Sequence, residues 1–345
     1  MMRSAAQRHT GAERRIGGMT LIELMVALAI GSFLIIGALT VFNQSRTTFR
    51  INESVARLQE NARFVFDVIE PEIRMANFWG LRTRSYVIDG RATDDAPLVG
   101  VVAGDCNTNW VIDLDKAVAA TNDHYDWPGC APGPSGANAV ATADTLVVRR
   151  AGVPVVTAPV SNTLYLQTTL GDAAALFMGD TIPAGFSADQ SETHALVVNG
   201  FYVSEDSALD TAGNRVPSLR RKRLRNGSGG DPSIVDEEIL PGVEDMQVQF
   251  GVDTDRVGGP DRGIVDRYVN PDDPILDPAS TAFNPDAEIL AVRVWLRLRG
   301  ERRENGLPQN NGYAYADQVI DPINDGYRRT VVSRTIYLRN ERPPE

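Results

Sequence analysis

The chain has 345 residues, 43% of them hydrophobic, which suffices for a membrane anchor with one large or two modest folded domains. Its formal net charge of −11 argues against a general nucleic-acid-binding surface and favours an acidic, exported domain. The sequence contains no clustered Cys/His metal set, glycine-rich phosphate loop or G-x-S-x-G nucleophile motif, so we expect no enzymatic activity.

An apolar stretch from Met19 to Phe42 dominates the N-terminal region and contains a single charged residue, Glu23. As a helix it would reach about 36 Å, enough to cross a hydrocarbon core of about 30 Å. The leader before it, residues 1–18, carries four arginines and one glutamate, and basic residues hold a leader on the cytoplasmic side. We therefore expect a single-pass inner-membrane protein whose C-terminal part lies in the periplasm.

Three interpretations compete for this stretch. A cleaved secretory signal is disfavoured because the apolar run is too long and no small-x-small site closes it. A plain anchor leaves Glu23 unexplained, since a carboxylate costs roughly 2.5–3.5 kcal/mol near the centre of a membrane and less near its edge. The third starts from residues 18–24, Gly-Met-Thr-Leu-Ile-Glu-Leu, which resemble the class III signal of type IV prepilins, where Phe more often occupies the place of Met19.

That resemblance implies how the N-terminus is processed. A prepilin peptidase would cut between Gly18 and Met19 and methylate the new amine of Met19, and residues 19–42 would remain as a transmembrane and assembly helix. Loss of the leader leaves 30 basic and 44 acidic residues, a formal charge of −14. A carboxylate buried in a bundle of such helices needs a partner, and the Met19 amine is the nearest cation, so we assign Glu23 a role in assembly.

An apolar stripe at helical spacing continues beyond Phe42 and predicts an amphipathic helix over residues 43–80 that packs on a globular domain. Pro71 should kink or end this helix, and Gly80 should close it at the latest. The stripe consists of Ile51, Val55, Leu58, Ala62, Val65, Ile69 and Ile73.

The two cysteines, Cys106 and Cys130, lie in a loop-rich insert, residues 81–143. In a periplasmic domain a disulfide persists, and closing a loop of about 25 residues contributes roughly 3–4 kcal/mol. We predict this disulfide; two free buried thiols are the alternative.

Residues 81–345 are predicted to form a β-rich periplasmic domain. Turn residues separate the strand candidates and no helical pattern intervenes, so the sheet should be antiparallel. The basic run 218–225 fits either a DNA-binding surface or a strand whose arginines face acids of the same domain; we favour the second and expect no direct nucleic-acid binding. The other predicted strands are residues 143–150, 153–156, 164–167, 195–198, 201–204, 247–250, 289–299 and 328–340.

Four short segments, residues 58–64, 74–80, 239–253 and 338–340, resemble the PilW-type minor pilins of type IV pili. The resemblance implies an α+β, pilin-like fold, with a long N-terminal helix packed on a mainly antiparallel β-sheet domain. It also implies a structural subunit that primes or caps the pilus and supports twitching motility, adhesion or DNA uptake. The partners would be the major pilin, other minor pilins, prepilin peptidase and the inner-membrane assembly platform, with incorporation into the pilus at the cell surface.

Two other functions stay open. One is a large, J-like pseudopilin of a type II secretion system, which shares the same signal. The other is a pilus-tip adhesin or ligand-binding module, with the insert or an acidic loop as its site. In that loop, Asp253, Asp255, Asp261 and Asp266 are spaced as in D-x-D-x-D-G calcium loops, although an insertion holding Gly258 to Pro260 displaces the third position. An acidic hairpin loop without calcium is the alternative, and no other cofactor is expected.

Overall fold

The computed structural model describes residues 18–81, 84–102, 106, 109–127, 129–133, 138–171, 173–187, 189–209, 213–226, 230–255, 263–304, 307 and 312–340. The chain divides into two units, Met1–Val55 and Ala56–Glu345. One helix, α1 (Leu21–Arg74), supplies the described structure of the first unit apart from residues 18–20 and continues into the second.

Helix α1 ends at Arg74, short of the predicted boundary at residue 80. It continues for three residues beyond Pro71, nearly one turn, and the Met75 N–H donates to the Pro71 carbonyl over 3.2 Å. Asn77 then adopts a left-handed backbone, with φ 58°, and donates its N–H to the Arg149 carbonyl over 3.3 Å. The chain is redirected there because a strand carbonyl replaces the next helical acceptor.

Within the second unit, one face of α1 is buried against both sheets. Its buried residues include five members of the predicted stripe, which confirms the amphipathic pattern from residue 58 onward. Full burial of each such side chain contributes about 1.5–3 kcal/mol. The buried helix residues are Leu58, Ala62, Val65, Phe66, Ile69 and Ile73, and they share a core with Phe201, Val248, Leu296 and Ile336.

Fourteen strands follow α1 in the described part of the chain, with two short 3₁₀ helices at Ser85–Val87 and Trp110–Ile112. The strands are β1 (Ile88–Asp89), β2 (Val118–Thr121), β3 (Thr145–Val155), β4 (Leu164–Thr169), β5 (Ala174–Met178), β6 (Ser191–Leu209), β7 (Arg215–Arg225), β8 (Ser233–Pro241), β9 (Val243–Asp253), β10 (Arg267–Val269), β11 (Glu288–Arg303), β12 (Tyr313–Tyr315), β13 (Gln318–Ile320) and β14 (Tyr327–Tyr337).

These strands form two sheets and a hairpin. The eight-stranded sheet has the order β1-β5-β4-β6-β3-β2, and β7 adds to β6 and β8 to β7. The four-stranded sheet has the order β10-β9-β11-β14, and β12 pairs with β13. Every described pairing is antiparallel except β1 with β5, which confirms the predicted α+β fold with a mainly antiparallel sheet.

Strand β6 joins two segments that the sequence pattern separates, 195–198 and 201–204. Gly200 lies between them and suggests a turn, yet the strand runs straight through it. A Cβ atom at this position would lie 2.7 Å from the Trp110 ring and 2.9 Å from the Trp127 ring. The glycine is therefore required by the close approach of two aromatic rings.

The insert forms a second core on the eight-stranded sheet. Trp110, Trp127 and Tyr202 are buried there. The Trp127 ring packs edge to face against Trp110 and Tyr202, with ring centroids 5.5 and 5.8 Å apart. Cys106 and Cys130 are disulfide-bonded, as predicted, and both are buried in this core. Trp110 and Trp127 of the insert are thus packed in this core, whereas Tyr86 of the insert is exposed.

Replacing both Cys106 and Cys130 by serine should lower the thermal unfolding midpoint of the chain in detergent by about 5–10 °C. Cysteine residues 24 apart enclose a loop whose closure contributes roughly 3 kcal/mol in the chain-entropy model. Near-ultraviolet circular dichroism of the tryptophans reports the transition. A reducing agent should lower the midpoint of the unmodified chain equally and leave the serine variant unchanged. An unchanged midpoint in the variant would show that the aromatic core holds the insert without the bond.

Candidate functional site

The predicted cleavage site lies directly before α1. Gly18, Met19 and Thr20 are exposed and non-helical, and the helix begins at Leu21. A Cβ atom at Gly18 would meet no heavy atom within 4 Å, so the peptide bond between Gly18 and Met19 is not enclosed by described residues. Residues 1–17 of the leader lie outside the described part of the chain.

Thr20 and Glu23 form a capping box at the start of α1. The Glu23 Oε2 atom accepts the Thr20 N–H and the Thr20 hydroxyl, both over 2.9 Å, and the Glu23 N–H donates to Thr20 Oγ1 over 3.3 Å. The residue types Thr-x-x-Glu suit this arrangement, because each side chain satisfies a backbone N–H of the other. Only Oε2 is used in these bonds, so Oε1 remains available for another donor.

The apolar part of α1 is exposed throughout. An 18-residue window reaches a mean hydropathy of 2.5 with no residue buried, and by length and composition this helix suffices to cross a membrane. Leu21, Ile22, Phe33, Ile36 and Phe42 are each more than half exposed. A helix that presents apolar side chains on all sides requires lipid or other helices around it.

Two family models match the chain. Residues 14–39 match the prokaryotic N-terminal methylation motif, and residues 200–340 match the model described as type IV pilus-assembly protein W. The chain thus combines the N-terminal signal of type IV prepilins with a segment similar to the PilW-type minor pilins. The first match covers Gly18, Met19 and Glu23, and the second covers β7 to β14 together with most of β6.

One solved structure that the comparison matches is a type IV-like pilin from Thermus thermophilus. It shares 12% sequence identity over 82% of this chain and 96% of that chain, with a TM-score of 0.35. That score is too low to define the fold, which rests here on α1 and the antiparallel sheets. No curated protein sequence matches this chain.

The two matches support a structural role in the type IV pilus and, in general, prepilin processing and contacts with pilus components. The class III signal and the apolar helix together fit a membrane-anchored pilin.

The basic run 218–225 lies in β7, and four of its five cations form ion pairs with acids of β8. The register places Arg221 opposite Glu237 and Lys222 opposite Asp236. Burial opposes the ionisation of Asp236, but hydrogen bonds from Lys222, Tyr202 and Arg220 outweigh it and lower its pKa. These ion pairs agree with a strand that faces acids of its own domain. They are Arg220–Asp236 at 2.6 Å, Lys222–Asp236 at 2.7 Å, Arg221–Glu237 at 2.7 Å and Arg223–Glu237 at 2.5 Å.

Three of the four predicted calcium ligands come together at the ends of β9 and β10. One carboxylate oxygen from each of Asp253, Asp255 and Asp266 lies within 4.8 Å of the others, whereas Asp261 lies outside the described residues. Asp266 also accepts the Thr254 N–H and hydroxyl over 2.7 and 2.6 Å, bonds that lower its pKa. The oxygen donors suit a hard cation. The carboxylates of Asp253 and Asp266 also accept hydrogen bonds from the backbone of the turn, which equally suits a hairpin loop without metal.

A group of acids that no sequence pattern predicts lies between the two sheets. Asp144 is 1% exposed and accepts the N–H groups of Asp123 and Val248 over 2.9 and 2.6 Å. Its own N–H donates to the Met246 carbonyl over 2.9 Å, so Asp144 connects the eight-stranded sheet to the part of β9 that β10 does not cover. Burial raises the pKa of Asp144 to about 8. No motif marks this residue, because an aspartate before a strand usually indicates a turn.

Burial also raises the pKa of Asp245, which is 1% exposed and accepts the Tyr315 hydroxyl over 2.5 Å. Asp123 is an exposed residue, and its pKa is raised by partial desolvation and by the charges of Asp317 and Asp245. The sheet junction therefore concentrates acids whose charged forms are disfavoured.

Proposed function

We propose that this chain is an assembly subunit that primes or caps a type IV pilus. The observation that carries the proposal is the carboxylate of Glu23 at the N-terminal end of an exposed apolar helix, within a class III signal. A carboxylate in that position is costly in lipid unless a cation or a set of donors compensates it.

Removal of the leader would supply that cation at Met19. Glu23 Oε2 is engaged by Thr20, and Oε1 would accept the methylated amine of Met19 on the same or a neighbouring subunit. In a bundle of helices with little water this ion pair is favourable only at one axial offset, because a shift leaves both charges unpaired. Glu23 would thereby set the register of the entering subunit.

The cellular setting follows from the same proposal. The subunit would wait in the inner membrane with residues 19–42 in the bilayer, and residues 43–345 would lie on the periplasmic side. Prepilin peptidase, the assembly platform, the major pilin and other minor pilins would be its partners, and it would leave the membrane by joining the fibre at the cell surface. Twitching motility, adhesion and DNA uptake would depend on it through that fibre.

Mass spectrometry of the mature chain tests the processing step. From cells with an active prepilin peptidase, the N-terminal peptide should begin at N-methylated Met19. Cells that lack the peptidase provide the control and should retain residues 1–18. A chain that still begins at Met1 in the presence of the peptidase would contradict the proposal.

The acidic loop motivates a second candidate, a calcium-dependent binding module at the pilus tip. If Asp253, Asp255 and Asp266 hold calcium, the ion should raise the unfolding midpoint of the full chain in detergent, whereas magnesium at equal concentration should have less effect. Asp255→Asn should abolish the calcium response while the free chain keeps its midpoint. Equal midpoints with and without calcium would show that these carboxylates do not bind calcium and serve only in the turn.

A further inference from the structure

Two arginines follow the apolar stretch of α1. Between Glu23 and Arg46 the chain contains no charged residue, and Arg50 comes four positions after Arg46. Residues four apart in a helix lie on the same face, so the two arginines project together. Both are exposed, and neither forms an ion pair with a described acid. This face of the helix therefore carries two cations whose charge nothing in the described chain compensates.

The length of the uncharged stretch places Arg46 among the phospholipid headgroups. Glu23 and Arg46 are about 34 Å apart along a helix axis, and the hydrocarbon core of a bilayer is about 30 Å thick. With Glu23 at one boundary of the core, Arg46 lies about 2–5 Å beyond the other boundary for helix tilts up to about 20°. The headgroup layer on each side is about 5–7 Å thick, so the backbone of Arg46 lies within it.

The side chains of both arginines lean toward the membrane. In an α-helix the Cα–Cβ bonds tilt toward the N-terminus, which for these residues is the direction of the apolar stretch. The Arg46 guanidinium accordingly lies 5.6 Å from the centre of the Phe42 ring, which is one turn nearer the N-terminus. The backbone of Arg50 lies about one turn farther out, and the same tilt directs its side chain back toward the headgroup layer.

We propose that Arg46 and Arg50 bind the phosphate groups of acidic phospholipids in the periplasmic leaflet of the inner membrane. This inference rests on the proposed function, which places residues 19–42 in the bilayer and the following residues on the periplasmic side. A guanidinium presents a planar set of donors that matches two phosphate oxygens. The bound phosphates at one boundary and Glu23 at the other together fix the depth of the subunit before it joins the fibre.

The charge of the two arginines selects the class of lipid. A zwitterionic headgroup carries its own cation beside the phosphate, whereas the phosphate of phosphatidylglycerol has no such partner. Each basic residue near an acidic leaflet strengthens binding about fivefold. Two arginines on one face of α1 therefore favour an acidic lipid over a zwitterionic one.

A second copy of α1 does not offer the anion that this face requires. At the same depth in the membrane, the second helix has no acid between Glu23 and Glu53. It would instead bring its own Arg46 and Arg50 to the same level, and like charges at close range repel. Phospholipid phosphate is the anion that the membrane itself supplies at this depth.

Native mass spectrometry of the full-length chain tests the site. The chain is purified from cells with an active prepilin peptidase and released from micelles that contain equal amounts of phosphatidylglycerol and phosphatidylcholine. We expect the unmodified chain to retain more phosphatidylglycerol. The double variant Arg46→Gln, Arg50→Gln should reduce that excess at least about fivefold.

Arg63→Gln is the matched control for the double variant. Arg63 is another exposed arginine of α1, it lies well beyond the headgroup layer by sequence position, and its ion pair with Asp67 is long, at 3.9 Å. Its replacement should leave the retained lipid unchanged. Thermal unfolding in detergent shows whether each variant folds. Any arginines of residues 1–18 are common to all three chains, and the mass in the same spectrum shows whether that leader is present.

Three results would overturn the proposal. One is equal retention of the two lipids by the unmodified chain, and another is the same loss in Arg63→Gln as in the double variant. The third is displacement of phosphatidylglycerol by an equal concentration of inorganic phosphate, because the ligand would then be free phosphate and not a headgroup. A folded double variant that keeps its phosphatidylglycerol but no longer enters fibres would also overturn it, since the arginines would contact a neighbouring subunit instead.

The N-terminal peptide separates this inference from the proposed function. If the chain begins at N-methylated Met19 and shows no preference for phosphatidylglycerol, the proposed function stands and the lipid site is wrong. If the chain keeps residues 1–18 in the presence of the peptidase while its preference depends on Arg46 and Arg50, the lipid site stands and the proposed function is contradicted.

Discussion

Replacing Glu23 by glutamine is expected to remove more than about 90% of the fibres, nearly as many as replacement by alanine. Glutamine retains an oxygen that accepts the Thr20 N–H and hydroxyl, so the capping box at the start of α1 is preserved. It lacks the negative charge that would pair with the Met19 amine. An unpaired ammonium in a helix bundle is costly, and loss of one partner of a buried ion pair typically costs about 3–5 kcal/mol.

Electron microscopy and the quantity of sheared pili measure this effect. The variant chain should still fractionate with the inner membrane and still lose its leader, because the apolar stretch is unchanged. Thr20→Ala removes the cap and leaves the charge, and Thr20→Ser is its matched control. If Glu23→Gln yields normal fibre numbers while Thr20→Ala does not, the essential feature is the helix cap and not the ion pair.

The Asp144→Asn variant is expected to remove a dependence of stability on pH between about pH 5 and 8. In the folded chain burial raises the pKa of Asp144 to about 8, against 3.8 for the ordinary group. Between these values the folded state holds a proton that the unfolded state has released. The free energy of unfolding should therefore fall as pH rises, by up to about 1.4 kcal/mol per pH unit from this residue.

The groups facing Asp144 support the direction of that change. Asp123 and Asp317 add negative charge nearby, which raises the pKa of Asp144 further. The N–H donors of Asp123 and Val248 lower it, but they do not cancel the effect of burial. Ionisation above pH 8 would place an uncompensated charge where the eight-stranded sheet meets the edge of β9. Asparagine stays neutral, although one of its two polar atoms would face an N–H donor and weaken one of the two bonds.

Urea unfolding of both chains at several pH values measures the effect. The difference in free energy of unfolding between the original chain and Asp144→Asn should shrink from pH 5 to pH 8. At pH 8 the variant should be as stable as the original chain or more stable. Other titrating groups are common to both chains and cancel in that difference. Asp325, whose pKa is lowered to about 2 chiefly by Arg329, changes protonation below this window. A constant difference across the range would show that Asp144 is ionised throughout.

Local patterns predicted several elements correctly because their causes are local. The spacing of Leu58, Ala62 and Val65 follows the helical period, and these residues are buried on one face of α1. The alternation in residues 289–299 and the β-branched run after Asp144 predict strands that occur as β11 and β3. The expected periplasmic location predicted a disulfide between the two cysteines, and they pair.

Other features were predicted incorrectly or not at all because their causes are distant in sequence. Gly200 continues a strand because Trp110 and Trp127 occupy the space of its side chain. Helix α1 ends at Arg74 because backbone groups there form hydrogen bonds with a carbonyl of β3 and with an N–H group beyond β14 instead of continuing the helix. In a sequence, a glycine or an asparagine predicts a turn, and only the structure shows which residues pack around it.

By itself, the sequence determined the N-terminal signal, the apolar and amphipathic parts of α1, the cysteine pair and the α+β class, since each depends on residue type and short spacing. Only the tertiary structure decided which acids are buried and which cations pair with the acids of β8. Those outcomes depend on the order of strands and their register, and they bring together residues such as Asp144 and Val248 that are 104 positions apart.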